Sequence, residues 1–257
     1  NDKYVIAGQG TIGLEILEQL DGKVDTILCP IGGGGIIAGI AVAAKGINPN
    51  IKIVGVQTAN IPSMHESMKN GEVTTAFKAT TIADGIAVKT PGDVTFDIIK
   101  ELVDEIIVVE EDEIAQGMLF LMENQKVVAE GSGAVSTAAL LSGKYVPKKD
   151  ENVVCVISGG NVDVNTLYRV IGTALTKEGR RYSFNTIIQD KPGGLAELTK
   201  IISEHDANIL SVNLSRSSMG GALGTLITEM VLETFNQDHI DRLKAAITKA
   251  GFEIVEI

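Results

Sequence analysis

A strand-like run, Thr26 to Pro30, leads through one residue into four consecutive glycines, Gly32 to Gly35, and the chain resumes at once as an apolar helix, Ile36 to Ala44. Four residues without Cβ let the backbone curl until several N–H groups converge on one point, and the helix that follows adds the positive end of its dipole. Such a junction suits a phosphate; its plainer reading is a tight packing turn. A second junction of the same kind occurs where strand Val153 to Ile157 ends in Ser158-Gly159-Gly160-Asn161. In a parallel sheet ligands collect at the carboxyl ends of strands, so these two ends are expected to face one ligand.

From residue 1 to about 177, runs such as Lys52 to Gln57, Glu105 to Val109 and Asn152 to Ile157 alternate with helical patterns such as Asp112 to Asn124 and Gly133 to Ser142. That alternation predicts a parallel sheet covered by helices. After a helix from about Val164 to Leu175, the polar segment Lys177 to Arg181 reads as a boundary, giving domains 1–177 and 181–257. Beyond it the pattern becomes strand Tyr182 to Ile188, helix Leu195 to His205, strand Asn208 to Arg216, strand Leu223 to Thr234, helix Asp238 to Ala250 and strand Phe252 to Ile257. This is βαββαβ, the ferredoxin-like order.

Composition narrows the functional class. The 257 residues carry 33 acidic against 22 basic side chains, a formal charge of −11, with no Trp and 4% aromatics. A nucleic-acid partner would be held against that field and without a stacking surface. The longest apolar stretch, Gly32 to Ala44, is glycine-broken and at about 13 residues too short for a bilayer of roughly 30 Å, so no membrane partner is expected. No signal peptide is visible, and Cys29 and Cys155 sit in strand-like runs that suit inert thiols; the cytoplasm is the expected compartment. The three histidines, His65, His205 and His239, are scattered, read as exposed, and show no metal-ligand spacing.

Gly8-Gln9-Gly10-Thr11-Ile12-Gly13 matches G-x-G-x-x-G after a short apolar run read as a strand starting by Tyr4. The dinucleotide reading is set aside, because the helix Ile12 to Leu20 is short and Asp21 and Asp25 are poor candidates for the ribose carboxylate. The preferred reading is a glycine-rich helix start that packs closely on a neighbour.

Taken in order, Ala7-Gly8-Gln9-Gly10-Thr11, Pro30-Ile31-Gly32-Gly33-Gly34-Gly35, Ile82-Ala83-Asp84-Gly85, Glu130-Gly131 and Ser158-Gly159-Gly160-Asn161 resemble the threonine ammonia-lyases (threonine dehydratases). These are pyridoxal-phosphate enzymes of the tryptophan-synthase-β-like fold, fold type II, related to serine racemase. The tail around Asp190-Lys191-Pro192-Gly193-Gly194-Leu195 resembles an ACT domain, an amino-acid-sensing module. The resemblance implies an α/β parallel-sheet fold type II domain, truncated at its N-terminus, followed by a ferredoxin-like ACT domain.

It further implies that backbone N–H groups of Gly32, Gly33, Gly34, Gly35 and Ile36 bind the phosphate of pyridoxal 5'-phosphate. Ser158 would meet the pyridine nitrogen, and Gly85 and Glu130 would line the ring; apart from the resemblance, Glu130 reads as a solvated strand-end carboxylate. A neutral hydroxyl at Ser158 makes the ring a weaker electron sink than a carboxylate would, which suits β-elimination. The implied reaction converts L-threonine, with L-serine as second substrate, to a 2-oxo acid and ammonia. Isoleucine or valine would bind the tail through Asp190, Pro192, Gly193, Gly194, Leu195 and Asn208, in a homodimer or homotetramer.

Two departures stand out. The family's Ser-x-Lys-x-Arg-Gly motif, which carries the Schiff-base lysine, is absent; Ser67-Met68-Lys69 and Ser142-Gly143-Lys144 hold only its first half, in contexts that read as polar loops with solvated lysines. The expectation is that this lysine and the substrate-carboxylate loop lie upstream of Asn1, in roughly 150 residues, one domain's worth. Serine racemases of the fold place a metal-binding carboxylate just after the strand corresponding to Ile53 to Val56, where this chain has Gln57, so no metal site is expected. The alternatives are a non-catalytic amino-acid-binding protein, or another lyase or serine racemase of the fold.

Overall fold

The computed structural model describes residues 2–77, 80–216 and 224–256. Its contacts divide into two compact units, Asn1–Ile171 and Gly172–Ile257.

The first unit opens with a helix where a strand was expected at Tyr4. Helix α1, Lys3–Gln19, is capped by Asp2, whose carboxylate accepts the N–H groups of Tyr4 and Val5 at 2.8 and 3.3 Å. The Gly8 to Gly13 run therefore lies inside a helix, not in a strand-to-helix turn. Its use is close packing against α2, Gly35–Ile47: a Cβ on Gly39 of α2 would lie 2.3 Å from the Ile6 carbonyl oxygen and 2.6 Å from the Gly10 nitrogen.

Strands β1 (Thr26–Pro30), β2 (Lys52–Thr58), β3 (Glu105–Val109) and β4 (Val153–Cys155) form a parallel sheet in the order β3-β2-β1-β4. β1 is buried on both faces and reads as an unbroken apolar run for that reason. Successive side chains divide between two cores: Ile27 and Cys29 pack with Ile37, Ile40 and Ile99, while Leu28 packs with Val54, Val56, Ile114 and Val135.

Those cores are completed by α3 (Ser63–Asn70), α4 (Asp93–Leu102), α5 (Glu111–Phe120) and α6 (Gly131–Leu141); α7 (Val164–Lys177) follows β4 and, among the described residues, contributes to neither. Ser67-Met68-Lys69 thus belongs to a helix, α3, with Ser67 buried and bonded to the Ser63 carbonyl at 2.6 Å. Lys144 is ion-paired with Glu113 at 2.8 Å rather than simply solvated.

At the amino end of β1, the Glu151 carboxylate accepts hydrogen bonds from Thr26 Oγ1 at 2.6 Å, the Tyr145 hydroxyl at 2.5 Å and the Lys148 N–H at 2.6 Å. These donors, Thr26 foremost, pull its pKa from 4.5 down to about 2. A depressed carboxylate stabilises the fold above its unfolded pKa and loses that contribution as pH falls. Urea unfolding followed between pH 5 and pH 2 is therefore expected to show a decline that is shallower in Glu151→Gln; identical slopes would refute it.

In the second unit, β5 (Arg181–Gln189), α8 (Gly194–Glu204), β6 (Asn208–Ser215), β7 (Thr225–Glu233), α9 (Gln237–Lys249) and β8 (Ile254–Glu256) give βαββαβ, with an antiparallel sheet in the order β6-β7-β5-β8. The even residues of β5, from Tyr182 to Ile188, turn inward and meet Leu198, Ile202, Leu243 and Ile247 of the two helices. Leu223 and Ile257, expected at strand ends, lie outside the described residues. His239 is buried, contrary to expectation, at 3% exposure. Its ring accepts the Phe235 N–H at Nδ1, 3.2 Å, and sits 2.6 Å from the His205 carbonyl oxygen at Nε2, closing the gap between α9 and the end of α8.

Candidate functional site

In the strand order, β1 lies between β2 and β4: the chain leaves β1 for β2 on one side and returns as β4 on the other. The carboxyl ends of β1 and β4 therefore border the crevice of a topological switch point, where open α/β sheets bind ligands.

Four glycines follow β1. Gly34 is the N-cap of α2 at φ +93°, without a side-chain cap, and a Cβ there would lie 2.7 Å from Ile99 Cδ1 and 2.9 Å from Thr95 Cβ. A Cβ on Gly35 would meet nothing within 4 Å. Among the described residues, the N–H groups of Gly32, Gly33, Gly34, Gly35 and Ile36 make no hydrogen bond to a protein acceptor. Free amides converging at a helix start are the arrangement that suits an anion.

Gly85 reaches the same crevice on a single turn, Asp84–Ile86. Its loop is clipped by the Glu111 carboxylate, which accepts Thr58 Oγ1 at 2.9 Å, Thr81 Oγ1 at 2.6 Å and the Ile82 N–H at 2.7 Å. Glu130 is the N-cap of α6, not a strand end. It ties down the loop after β4, its N–H donating to the Gly159 carbonyl at 3.1 Å and its Oε2 accepting the Asn161 N–H at 3.1 Å. A Cβ on Gly159 would stand 2.3 Å from Glu130 Oε1, so glycine is what admits the carboxylate there.

Gly32 through Ile36, Gly85, Glu130 and Ser158 all border one cleft of about 340 Å³. Sequence reasoning missed Gln9 and Ser132, which line it too. Ser132 Oγ accepts the Ile86 N–H at 3.1 Å and is 2% exposed; the only signal for it was its place two residues after Glu130.

Gln57 is fully buried and uses both ends of its amide within the protein, donating to the Ile31 carbonyl at 3.2 Å and accepting the His65 N–H at 2.9 Å. Among the described residues no three His, Cys, Asp or Glu side chains gather as metal ligands. Burial alone raises the pKa of both thiols, that of Cys155 to about 12.

In the second unit, Asp190 to Leu195 form one turn into α8, with Gly193 its N-cap at φ +88°. A Cβ on Gly194 would lie 2.4 Å from the Gln189 carbonyl oxygen. Asp190 is held by Arg216 through two hydrogen bonds of 3.0 and 3.3 Å. Asn208 starts β6, and its amide donates to Glu233 at 3.2 Å.

Residues 1–159 match the family described as "Pyridoxal-phosphate dependent enzyme". The chain belongs to the pyridoxal-phosphate dependent enzymes. Residues 182–252 of this family member match the ACT domain. It is 47% identical over 254 residues to the L-threonine ammonia-lyase of Thermotoga maritima, a match covering 99% of this chain and 63% of that protein. It is thus shorter than two thirds of that relative. Among solved structures it is similar to maize serine racemase, with a TM-score of 0.62 and 40% identity over 67% of this chain and 54% of that one. It is also similar to threonine deaminase isoform 2 from Solanum lycopersicum, with a TM-score of 0.61 and 37% identity over 66% of this chain and 49% of that one.

The residues present fit the cofactor that gives this family its name. The unspent amides would take its phosphate, the open space beside Gly35 admits it, and the hydroxyl of Ser158 stands exposed after β4. No helix among the described residues is long and apolar enough to cross a membrane.

Proposed function

We propose that this chain is the cofactor-binding and regulatory part of a threonine ammonia-lyase, which converts L-threonine to 2-oxobutanoate and ammonia and accepts L-serine as second substrate. The observation that carries this reading is the cleft at the switch point, in a chain 47% identical along almost its whole length to an L-threonine ammonia-lyase. Bound there, pyridoxal phosphate would supply the electron sink for loss of the α-proton and the β-hydroxyl. The N–H groups of Gly32 to Ile36 would hold its phosphate at the positive end of the helix dipole. Ser158 Oγ would offer the ring nitrogen a neutral group, which favours elimination over transamination. Gly85 and Glu130 would line the ring, glycine at position 85 giving room to Ser132 Oγ and Glu130 Oε1, which a Cβ there would meet at 2.8 and 3.0 Å.

The ACT domain binds isoleucine or valine at the Asp190 to Leu195 turn and Asn208, and the protein works in the cytoplasm as a homodimer or homotetramer. The structural use of Gln57's amide disfavours a serine racemase with a metal at that position.

The test is to read the coding sequence upstream of Asn1 for a Ser-x-Lys-x-Arg-Gly segment and assay the polypeptide so defined. Formation of 2-oxobutanoate from L-threonine is expected, with a calorimetric heat on adding isoleucine or valine. No 2-oxo acid from either L-threonine or L-serine would overturn the lyase reading.

A further inference from the structure

Two buried side chains that do not border the cleft reach the backbone of its glycine loop from behind. Gln57 Nε2, on β2, donates to the carbonyl oxygen of Ile31 at 3.2 Å, and Thr95 Oγ1, on α4, donates to the carbonyl oxygen of Gly33 at 2.6 Å. Both side chains are fully buried. Each peptide unit is planar, and there is no cis bond in the described chain, so the carbonyl of one residue and the N–H of the next point in opposite directions. Holding the Ile31 and Gly33 carbonyls toward the interior therefore turns the N–H groups of Gly32 and Gly34 the other way, toward the cleft.

We infer that Gln57 and Thr95 are positioning residues for the anion cradle: they fix the direction of alternate amides in the loop before any ligand arrives. Glycine makes this necessary. A run of four residues without Cβ has many accessible backbone conformations, and one that aims its N–H groups at a single point must be selected by outside contacts. Thr95 also fills the space beside Gly34, its Cβ standing 2.9 Å from where a Gly34 Cβ would be, so the same residue excludes bulk and aims the carbonyl. In this chain the Gln57 amide donates to the Ile31 carbonyl and accepts from the His65 N–H, whereas an ionised carboxylate in its place has no proton to give that carbonyl.

This inference rests on the reading of the cleft as a phosphate site. Its test is calorimetric titration of the chain with pyridoxine 5'-phosphate, which has the phosphate but no aldehyde and so needs no lysine. Thr95→Val, close in shape but without the donor, is expected to weaken binding at least tenfold, and Thr95→Ser to restore it to within about threefold of the parent. Gln57→Glu is expected to weaken binding as well, by an independent contact, so that a Thr95 variant failing to fold leaves the inference exposed to refutation. Parent-like affinity in a folded Thr95→Val or Gln57→Glu overturns the positioning role while leaving the phosphate site standing. No binding by the parent chain overturns the phosphate site itself, and the positioning role with it.

Discussion

Adding a single methyl group at Gly39 is expected to lower the stability of the first unit by about 2 kcal/mol or more, although alanine is the better helix former. Propensity alone predicts a gain of about 1 kcal/mol for Gly→Ala inside a helix. Against that gain stands the crossing of α1 and α2, where the new Cβ would lie 2.3 Å from the Ile6 carbonyl oxygen and 2.6 Å from the Gly10 nitrogen. Both are backbone atoms that no rotamer change can move, so the helices must separate by about 1 Å. Separation by that distance forfeits much of the dispersion contact along the seam. Gly46 of the same helix is the control, since nothing lies within 4 Å of its Cβ position and Gly46→Ala is expected to be neutral or mildly stabilising. Urea midpoints read by far-UV circular dichroism compare the two; a Gly39→Ala midpoint at or above the parent's would sink the packing argument.

Gly34→Ala is expected to weaken pyridoxine 5'-phosphate binding by about a hundredfold, an estimate that combines backbone strain with displacement of the cradle. Two effects act at one atom. Alanine at φ +93° carries strain of about 1–3 kcal/mol, and its Cβ would stand 2.7 Å from Ile99 Cδ1 and 2.9 Å from Thr95 Cβ. Ile99 and Thr95 are both fully buried, so the loop moves rather than its support, and its amides lose their common aim. Gly35→Ala has neither problem and is expected to leave stability unchanged. Calorimetry reads the binding change, and undiminished binding by Gly34→Ala would show that the cradle tolerates a shifted loop.

Much of this organisation was legible in advance because it depends on local periodicity. Strand Thr26–Pro30 was read to the residue, since a strand buried on both faces is a continuous run without exposed positions, and the edge strand Glu105–Val109 was read from its unbroken Ile-Ile-Val-Val run. The tail's βαββαβ order followed from clear alternation of inward and outward residues, as in β5. Helix α1 was misread at its start because glycines at positions 8, 10 and 13 argue against a helix on propensity, and the partner that makes them useful, Gly39, lies far along the chain. Helices α3 and α4 escaped notice, α3 being short and polar. His239 looked exposed because nothing in its neighbours in sequence announces the His205 carbonyl.

The amino-acid sequence by itself determined the two-part architecture and the glycine loops at the ends of β1 and β4, because strand and helix periods and runs of glycine are properties of contiguous residues. Only the tertiary structure decided which loops share a cleft, that Glu130 caps a helix while tying down Gly159, and that Gln57 and Thr95 hold the Ile31 and Gly33 carbonyls. The physical reason is that a hydrogen bond between residues 26 or 62 positions apart leaves no periodic trace in the chain; it exists only once the sheet order has brought its donor to its acceptor.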